Sequence, residues 1–225
     1  MSRSLLLCLL LVAAPVGAQT VNGAMIDLSA DAARSAPNDL FRATAYAEIN
    51  DAKPANAAAQ VNRQIAAALA TAKGYASVKV RTGGTQTWPV YAKNGGSIDA
   101  WRMRSELQLE SRDAAAMSEL LGKLQSNLAV SQISATPAPE TAKKVEAEAM
   151  TAAVQAFRER AALIAGSLGK KYRIREMNIS SGGGRAPLYT MRAKAMTADA
   201  VPMPIEGGDS EIVVNVGGKI ELTDN

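Results

Sequence analysis

Along residues 39–50, DLFRATAYAEIN, the residues Phe41, Ala43, Ala45, Ala47 and Ile49 share one side of an extended chain, and Arg42, Thr44, Tyr46 and Glu48 share the other. A period of two predicts a half-buried strand. The period then changes. Pro54 suits the first turn of a helix, where its missing N–H costs nothing. Ala58, Val61, Ile65, Ala68 and Ala72 follow at steps of three and four and end before Gly74, which predicts an amphipathic helix with a glycine stop. From Ser77 the alternation returns, with Val78, Val80 and Thr82 opposite Lys79 and Arg81. KNGG at 93–96 is a hairpin signal, because Asn-Gly tolerates the positive φ angles of a tight turn. The second arm sets Trp101, Met103, Leu107 and Leu109 against Arg102, Arg104, Glu106 and Gln108. Asp113 is placed to cap a helix carrying Met117, Leu120, Leu121, Leu124 and Leu128, and a strand over 130–135 closes the series.

The predicted order over 24–136 is strand, helix, strand, strand, helix, strand, with 24–32 adding a short strand ahead of it. That is the split βαβ order of ferredoxin-like sandwiches, so the predicted class is α+β, an antiparallel sheet with helices on one face. The remainder, 137–225, opens with a long helix. Met150, Val154, Phe157, Ala161, Ile164 and Leu168 form one apolar stripe, and Gly169 supplies the stop. A second stripe, Val145, Ala149, Ala152, Ala156 and Leu163, is mostly alanine and allows close approach of another backbone. Ala149, Ala152, Ala156 and Leu163 are therefore the candidate interface residues for a homo-oligomer. A strand over 172–179, an irregular stretch rich in Met, Gly and Pro over 182–209, and a terminal strand with Ile212, Val214, Val216, Ile220 and Leu222 on one face complete the reading. The Gly217-Gly218 pair in that strand marks a bulge or a bend.

Composition narrows the function. The first 18 residues, MSRSLLLCLLLVAAPVGA, combine one positive charge, a short apolar run and small residues at Val16 and Ala18. That is the pattern of a secretory signal peptide cleaved after Ala18, too short to remain as a membrane anchor. Cleavage removes Cys8, the one cysteine of the chain, and with it any disulfide or thiol nucleophile. The expected mature protein is periplasmic, without a transmembrane anchor. Basic residues are interleaved with acids, as in Lys143, Lys144, Glu146 and Glu148, and aromatics make up 4% of the chain. A nucleic-acid partner is not expected, since such binders gather basic charge and stacking aromatics on one stripe.

Candidate chemistry is sparse. The chain has no histidine, which excludes the usual nucleophile–histidine arrangements and most transition-metal sites. Glu106 and Glu110 alternate with Arg102, Arg104 and Arg112, whose charges keep carboxylates ionised; a solvated ion-pair ladder is the expected arrangement. SGGGR at 181–185 lacks the Lys-Ser/Thr ending of a phosphate-binding loop and reads as an irregular loop. Asp199, Glu206, Asp209 and Glu211 match no ordered calcium loop. Met191, Met196 and Met203 are low-ranking candidates for holding copper(I) or absorbing oxidants. No catalytic residue and no cofactor are assigned.

Three stretches carry a family resemblance: AVQAFRERAALIAGSLGKKYRIREMNISSGG from 153, PIEGGDSEIVVNVGGKIEL at 204–222, and AWRMRSELQLESRDAAAMSELLGKLQ from 100. Together they resemble the SIMPL-domain family, with Ala100-Trp101 where family members usually have Gly-Tyr. The resemblance implies a periplasmic protein of a group that includes oxidative-stress-defence proteins and an immunogenic periplasmic antigen. It transfers no catalytic residue. The expected function is a non-catalytic, self-associating role in envelope or oxidative-stress defence. The alternative is a binding module for a small ligand, a peptide or copper(I) through the 182–209 loop.

Overall fold

The computed structural model describes residues 23–93, 95–185 and 205–224. Within them lie seven strands and three helices: β1 (Met25–Pro37), β2 (Leu40–Asp51), α1 (Pro54–Ala72), β3 (Val78–Tyr91), β4 (Ile98–Ser111), α2 (Ala114–Leu124), β5 (Ala129–Thr136), α3 (Pro139–Ser167), β6 (Lys171–Arg185) and β7 (Asp209–Thr223). They form two antiparallel sheets, ordered β3-β4-β2-β5 and β1-β7-β6.

The four-stranded sheet carries the split βαβ order that the alternation predicts. β2 runs antiparallel to both β4 and β5, and β3 forms the hairpin with β4. Phe41, Ala43, Ala45 and Ala47 face inward with Leu107 and Leu109, beneath Val61 and Ile65 of α1 and Met117, Leu120, Leu121 and Leu124 of α2. The alanines of β2 leave room for the larger helix side chains, so bulk alternates across the interface. Local signals behave as expected: Gly95 takes φ +72° at the hairpin turn, and the Asp113 carboxylate accepts the Ala116 N–H at 3.0 Å.

The second sheet differs from the sequence reading in three ways. First, β1 is thirteen residues long and pairs along its length with β7, so the segment before residue 39 belongs with the C-terminal strands. Its inward positions run Ile26, Leu28, Ala30 and Ala32, and the fall to alanine weakens the hydrophobic signal in the second half of the strand. Second, β6 continues to Arg185, with Ser181 and Gly182 registered on Val214 and Val213; SGGGR ends a strand and is no irregular loop at its start. Third, α3 is rotated. Its buried row is Val145, Ala149, Ala153, Phe157, Ala161 and Ala165, an unbroken step of four, while Met150, Leu163 and Leu168 are exposed. Successive residues in such a row advance by about 40° around the helix, so the contact line winds as the underlying sheet twists. Alanines bring α3 close, and Val214, Val216, Ile220 and Phe157 supply the bulk.

Phe157 is fully buried, and its ring lies against Gly218. Gly218 sits on the inner face of β7, between Val216 and Ile220. The β1–β7 register is continuous through both glycines. The irregularity anticipated there is on the neighbouring strand, where Arg175 is the extra residue between the Ile174–Ile220 and Glu176–Lys219 pairs. α3 ends as predicted: Gly169 takes φ +64°, and Lys170 N–H reaches the Ala165 carbonyl at 3.0 Å, a Schellman stop.

The two sheets meet at residues 37–41. Buried Asn38 donates from Nδ2 to the Gly207 carbonyl at 2.8 Å and from its backbone N–H to the Gly208 carbonyl at 2.9 Å, and its Oδ1 accepts Ser210 Oγ at 2.7 Å. Next to it the Asp39 carboxylate accepts the Ala138 N–H at 2.6 Å and the Thr141 hydroxyl at 2.7 Å. Asp39 thus caps α3 from across the chain, a task Ala138 at the cap position cannot perform.

Candidate functional site

The open face of the four-stranded sheet gathers most of the polar chemistry. Two successive rungs run across all four strands: Arg81, Gln108, Thr44 and Gln132 form one, and Lys79, Glu110, Arg42 and Ser134 the other. All but Lys79 line a shallow hollow of about 290 Å³. Arg42 Nε donates to Glu110 Oε2 at 3.0 Å. One strand spacing along, Arg104 is held three ways. It pairs with Glu106 at 2.9 Å and Glu48 at 3.9 Å, and its guanidinium lies 3.6 Å from the centre of the Tyr46 ring. Arg102 lies 3.6 Å from Glu48 and donates to Asn50 Oδ1 at 2.9 Å.

The ladder expected of Glu106 and Glu110 is therefore present, with altered partners. Glu110 pairs with Arg42, and Arg112 pairs with Glu140 on α3. Among the described residues no ion pair holds Arg81, and it points a guanidinium toward a hollow otherwise lined by amides, hydroxyls and one Arg–Glu pair. Such a lining can orient a small polar or anionic group by hydrogen bonding. The carboxylates with displaced ionisation, Asp39, Glu119 and Asp224, are all displaced downward. For Asp39, burial pushes the carboxyl up, but hydrogen bonds from the Ala138 N–H and the Thr141 hydroxyl, with Arg112 nearby, outweigh it. Hydrogen bonding from Lys123 and Tyr75 lowers Glu119, and Lys170 lowers Asp224. These groups serve as fixed negative charges.

The interface candidates separate. Ala149 is fully buried in the chain's own core, so no other subunit reaches it. The even spacing of alanines along α3 hides which of them faces the sheet. Ala152 and Ala156 are half-buried on the flank of the helix, and Leu163 is 74% exposed. β7 is likewise unavailable, since strands pair with both its edges and α3 covers its apolar face. Further exposed apolar residues line edge strand β6, at Ile174, Met177 and Ile179. Ile179 borders a hollow with Met150 and Val154 of α3. Met191, Met196, Met203 and Asp199 lie outside the described residues, as does most of the 182–209 stretch. Glu206, Asp209 and Glu211 belong to no cluster of metal-ligating groups among the described residues.

The hollow was missed because its residues come from four strands. Their outward positions are legible one strand at a time, but only register shows that they meet. Among the described residues no helix is long and apolar enough to cross a membrane.

The chain matches the model of SIMPL, a protein family of unknown function (DUF541), over residues 26–220, and it belongs to that family. No curated protein matches it. Among solved structures it is similar to a crystal structure from Burkholderia cenocepacia, provisionally described as an amidohydrolase/peptidase. Identity there is 14% and the TM-score 0.28, covering 48% of this chain. The match spans about 30% of that protein's length.

Proposed function

We propose that this SIMPL-family chain is an exported periplasmic protein without catalytic activity, which self-associates and serves in envelope or oxidative-stress defence. The observation that carries the self-association is β6. It is an edge strand fifteen residues long, unpaired on its outer side among the described residues, with Ile174, Met177 and Ile179 exposed along it. Long edge strands invite pairing unless they are blunted by charge, proline or cover; the charges Lys171, Arg173, Arg175 and Glu176 lie in the first half of β6, and 177–182 carries none. The apolar border continues onto α3 through Met150 and Val154, which makes a patch of two elements. Export rests on the leader-like residues 1–18, and the stress role on the family resemblance.

The test is the solution mass of the mature chain by light scattering coupled to size exclusion, at low and high salt. An assembly that resists salt is expected, and Met177→Asp with Ile179→Asp should reduce it to a monomer of unchanged circular dichroism. A wild-type monomer at all concentrations and salts would overturn the self-association. An assembly unaffected by the two aspartates would remove β6 as its seat.

A further inference from the structure

We propose that the tip of the β3–β4 hairpin inserts into the interfacial region of a lipid bilayer. Both tryptophans of the chain, Trp88 and Trp101, lie in this hairpin together with Tyr91, Ile98, Pro89 and Val90. None of the six belongs to, or packs on, a hydrophobic core cluster. Tyr91 is 62% exposed and Ile98 46%. Trp88 and Trp101 are half-buried; large aromatic side chains ordinarily dominate cores, and their placement outside one marks a contact site.

Geometry selects the occupant. β2 accompanies β4 only as far as the Asp51–Trp101 pair, so the Val90–Ala100 and Tyr91–Ile98 rungs extend past the sheet. Alternation along β3 places Trp88 and Val90 on one side of the hairpin and Pro89 and Tyr91 on the other. Trp101, registered on Pro89, joins the second side. A tip that is apolar on both sides calls for a medium that surrounds it, whereas a flat partner would cover one side. Between the two arms the rungs are closed by strand pairing, Ala92 N–H reaches the Ser97 carbonyl at 3.0 Å, and Gly95 N–H reaches the Ala92 carbonyl at 2.8 Å. Among the described residues the outer edge of β3 keeps its backbone groups open, which places the tip in the water-bearing headgroup region and not in the hydrocarbon core.

Residues 88–101 carry two charges, Lys93 and Asp99, which cancel, so the attraction is apolar. Behind the tip, Trp88 is registered on Arg102 and Gln86 on Arg104. Both arginines are already paired with carboxylates of the sheet, Glu48 and Glu106, so the aromatic and aliphatic side chains alone hold the tip at the interface.

Because both tryptophans are in the hairpin, the emission of the wild-type protein reports on this site alone. Vesicles of phosphatidylethanolamine and phosphatidylglycerol should shift that emission to the blue, protect it from acrylamide and allow quenching by brominated acyl chains. The response should survive high salt. Tyr91→Ser with Ile98→Ser keeps both tryptophans and should weaken partitioning by about tenfold or more, as expected for losing two apolar side chains. Its circular dichroism should be unchanged. Emission indifferent to vesicles, with no cosedimentation, would overturn the proposal. So would a shift retained in full by the folded double variant, or one abolished by salt. A shift that follows protein concentration without lipid would assign the tip to a second copy of the chain and equally overturn it.

Discussion

Gly218 offers a test of the α3 packing that can be worked through from geometry. A Cβ built there would stand 3.1 Å from Phe157 Cζ and 3.1 Å from the Glu176 carbonyl carbon, and it would meet the Glu176 oxygen inside 3.0 Å, where real Cβ atoms essentially never sit. The obstacle is backbone on one side and a fully buried ring on the other, so neither can swing away cheaply. Gly218→Ala should therefore cost about 1 to 3 kcal/mol, the usual range for overpacking. Its neighbour is the control. A Cβ on Gly217 meets nothing within 4 Å, and neither glycine has a positive φ. Gly217→Ala should change stability by less than about 0.5 kcal/mol, or raise it slightly through the unfolded chain. The assay is equilibrium urea unfolding of both variants against wild type, reading the midpoint at constant slope. Equal midpoints for the two variants would refute the claim that Phe157 and the Glu176 backbone are seated on Gly218.

Two further predictions concern charged groups that join elements. Asp39→Ala should lower stability by about 1 to 2 kcal/mol near neutral pH, since it removes a cap on α3. The folded carboxyl is held below its ordinary value of 3.8, so its stabilisation is complete above that value and is lost as pH falls through the lower folded one. The gap between wild type and variant in thermal unfolding should then close on acidification. A gap that is constant with pH would refute the role of the charge. Arg175 holds Glu221 through two nitrogens, at 2.7 and 2.6 Å, and the Glu221 side chain is 10% exposed. Arg175→Ala should cost about 1 to 3 kcal/mol, below the range for fully buried pairs because the arginine is half exposed. Adding Glu221→Gln should recover part of it in urea unfolding, and a fully additive double variant would show the pair is not coupled.

The legibility of the chain follows the size of its side chains. In the four-stranded sheet, Phe41, Leu107, Leu109, Met117 and Leu121 are large enough that period and burial coincide, and the element order could be written down from pattern alone. In α3 they part company. Ranking positions by hydrophobicity picks Met150, Ile164 and Leu168, but a helix settles where it can come closest, and that is the alanine row through Ala149, Ala153 and Ala161. With alanine at so many positions the phase is almost free in the sequence. It is decided by the partner, a sheet whose own Val214, Val216 and Ile220 need a thin helix above them. β1 is legible only in part. Ile26 and Leu28 alternate as a strand should, but beyond them the inward positions shrink to Ala30 and Ala32, so the continuation to Pro37 is specified by β7 more than by its own pattern.

The same logic separates the polar groups that hold the structure from those free to act. Arg104, Arg102, Arg42 and Arg175 each have a carboxylate partner, which lies directly across the ladder for Arg42 and is reached from the bulge of β6 for Arg175. Local sequence shows the alternation of charge but not which partner lies across the rung. Glu110 illustrates this: Arg112 is two residues away, yet its partner is Arg42, its neighbour across the β2–β4 ladder. Arg81 occupies the same kind of outward position, registered on neutral Gln108. Its uncommitted charge thus arises from a pairing no single strand encodes. The hairpin tip is the converse case. By alternation Trp101 reads as part of the inward side of β4, and what the fold adds is that it lies half-buried outside the core clusters, beside half-buried Trp88 and exposed Tyr91. A residue type read early becomes informative only when its expected neighbour proves to be missing.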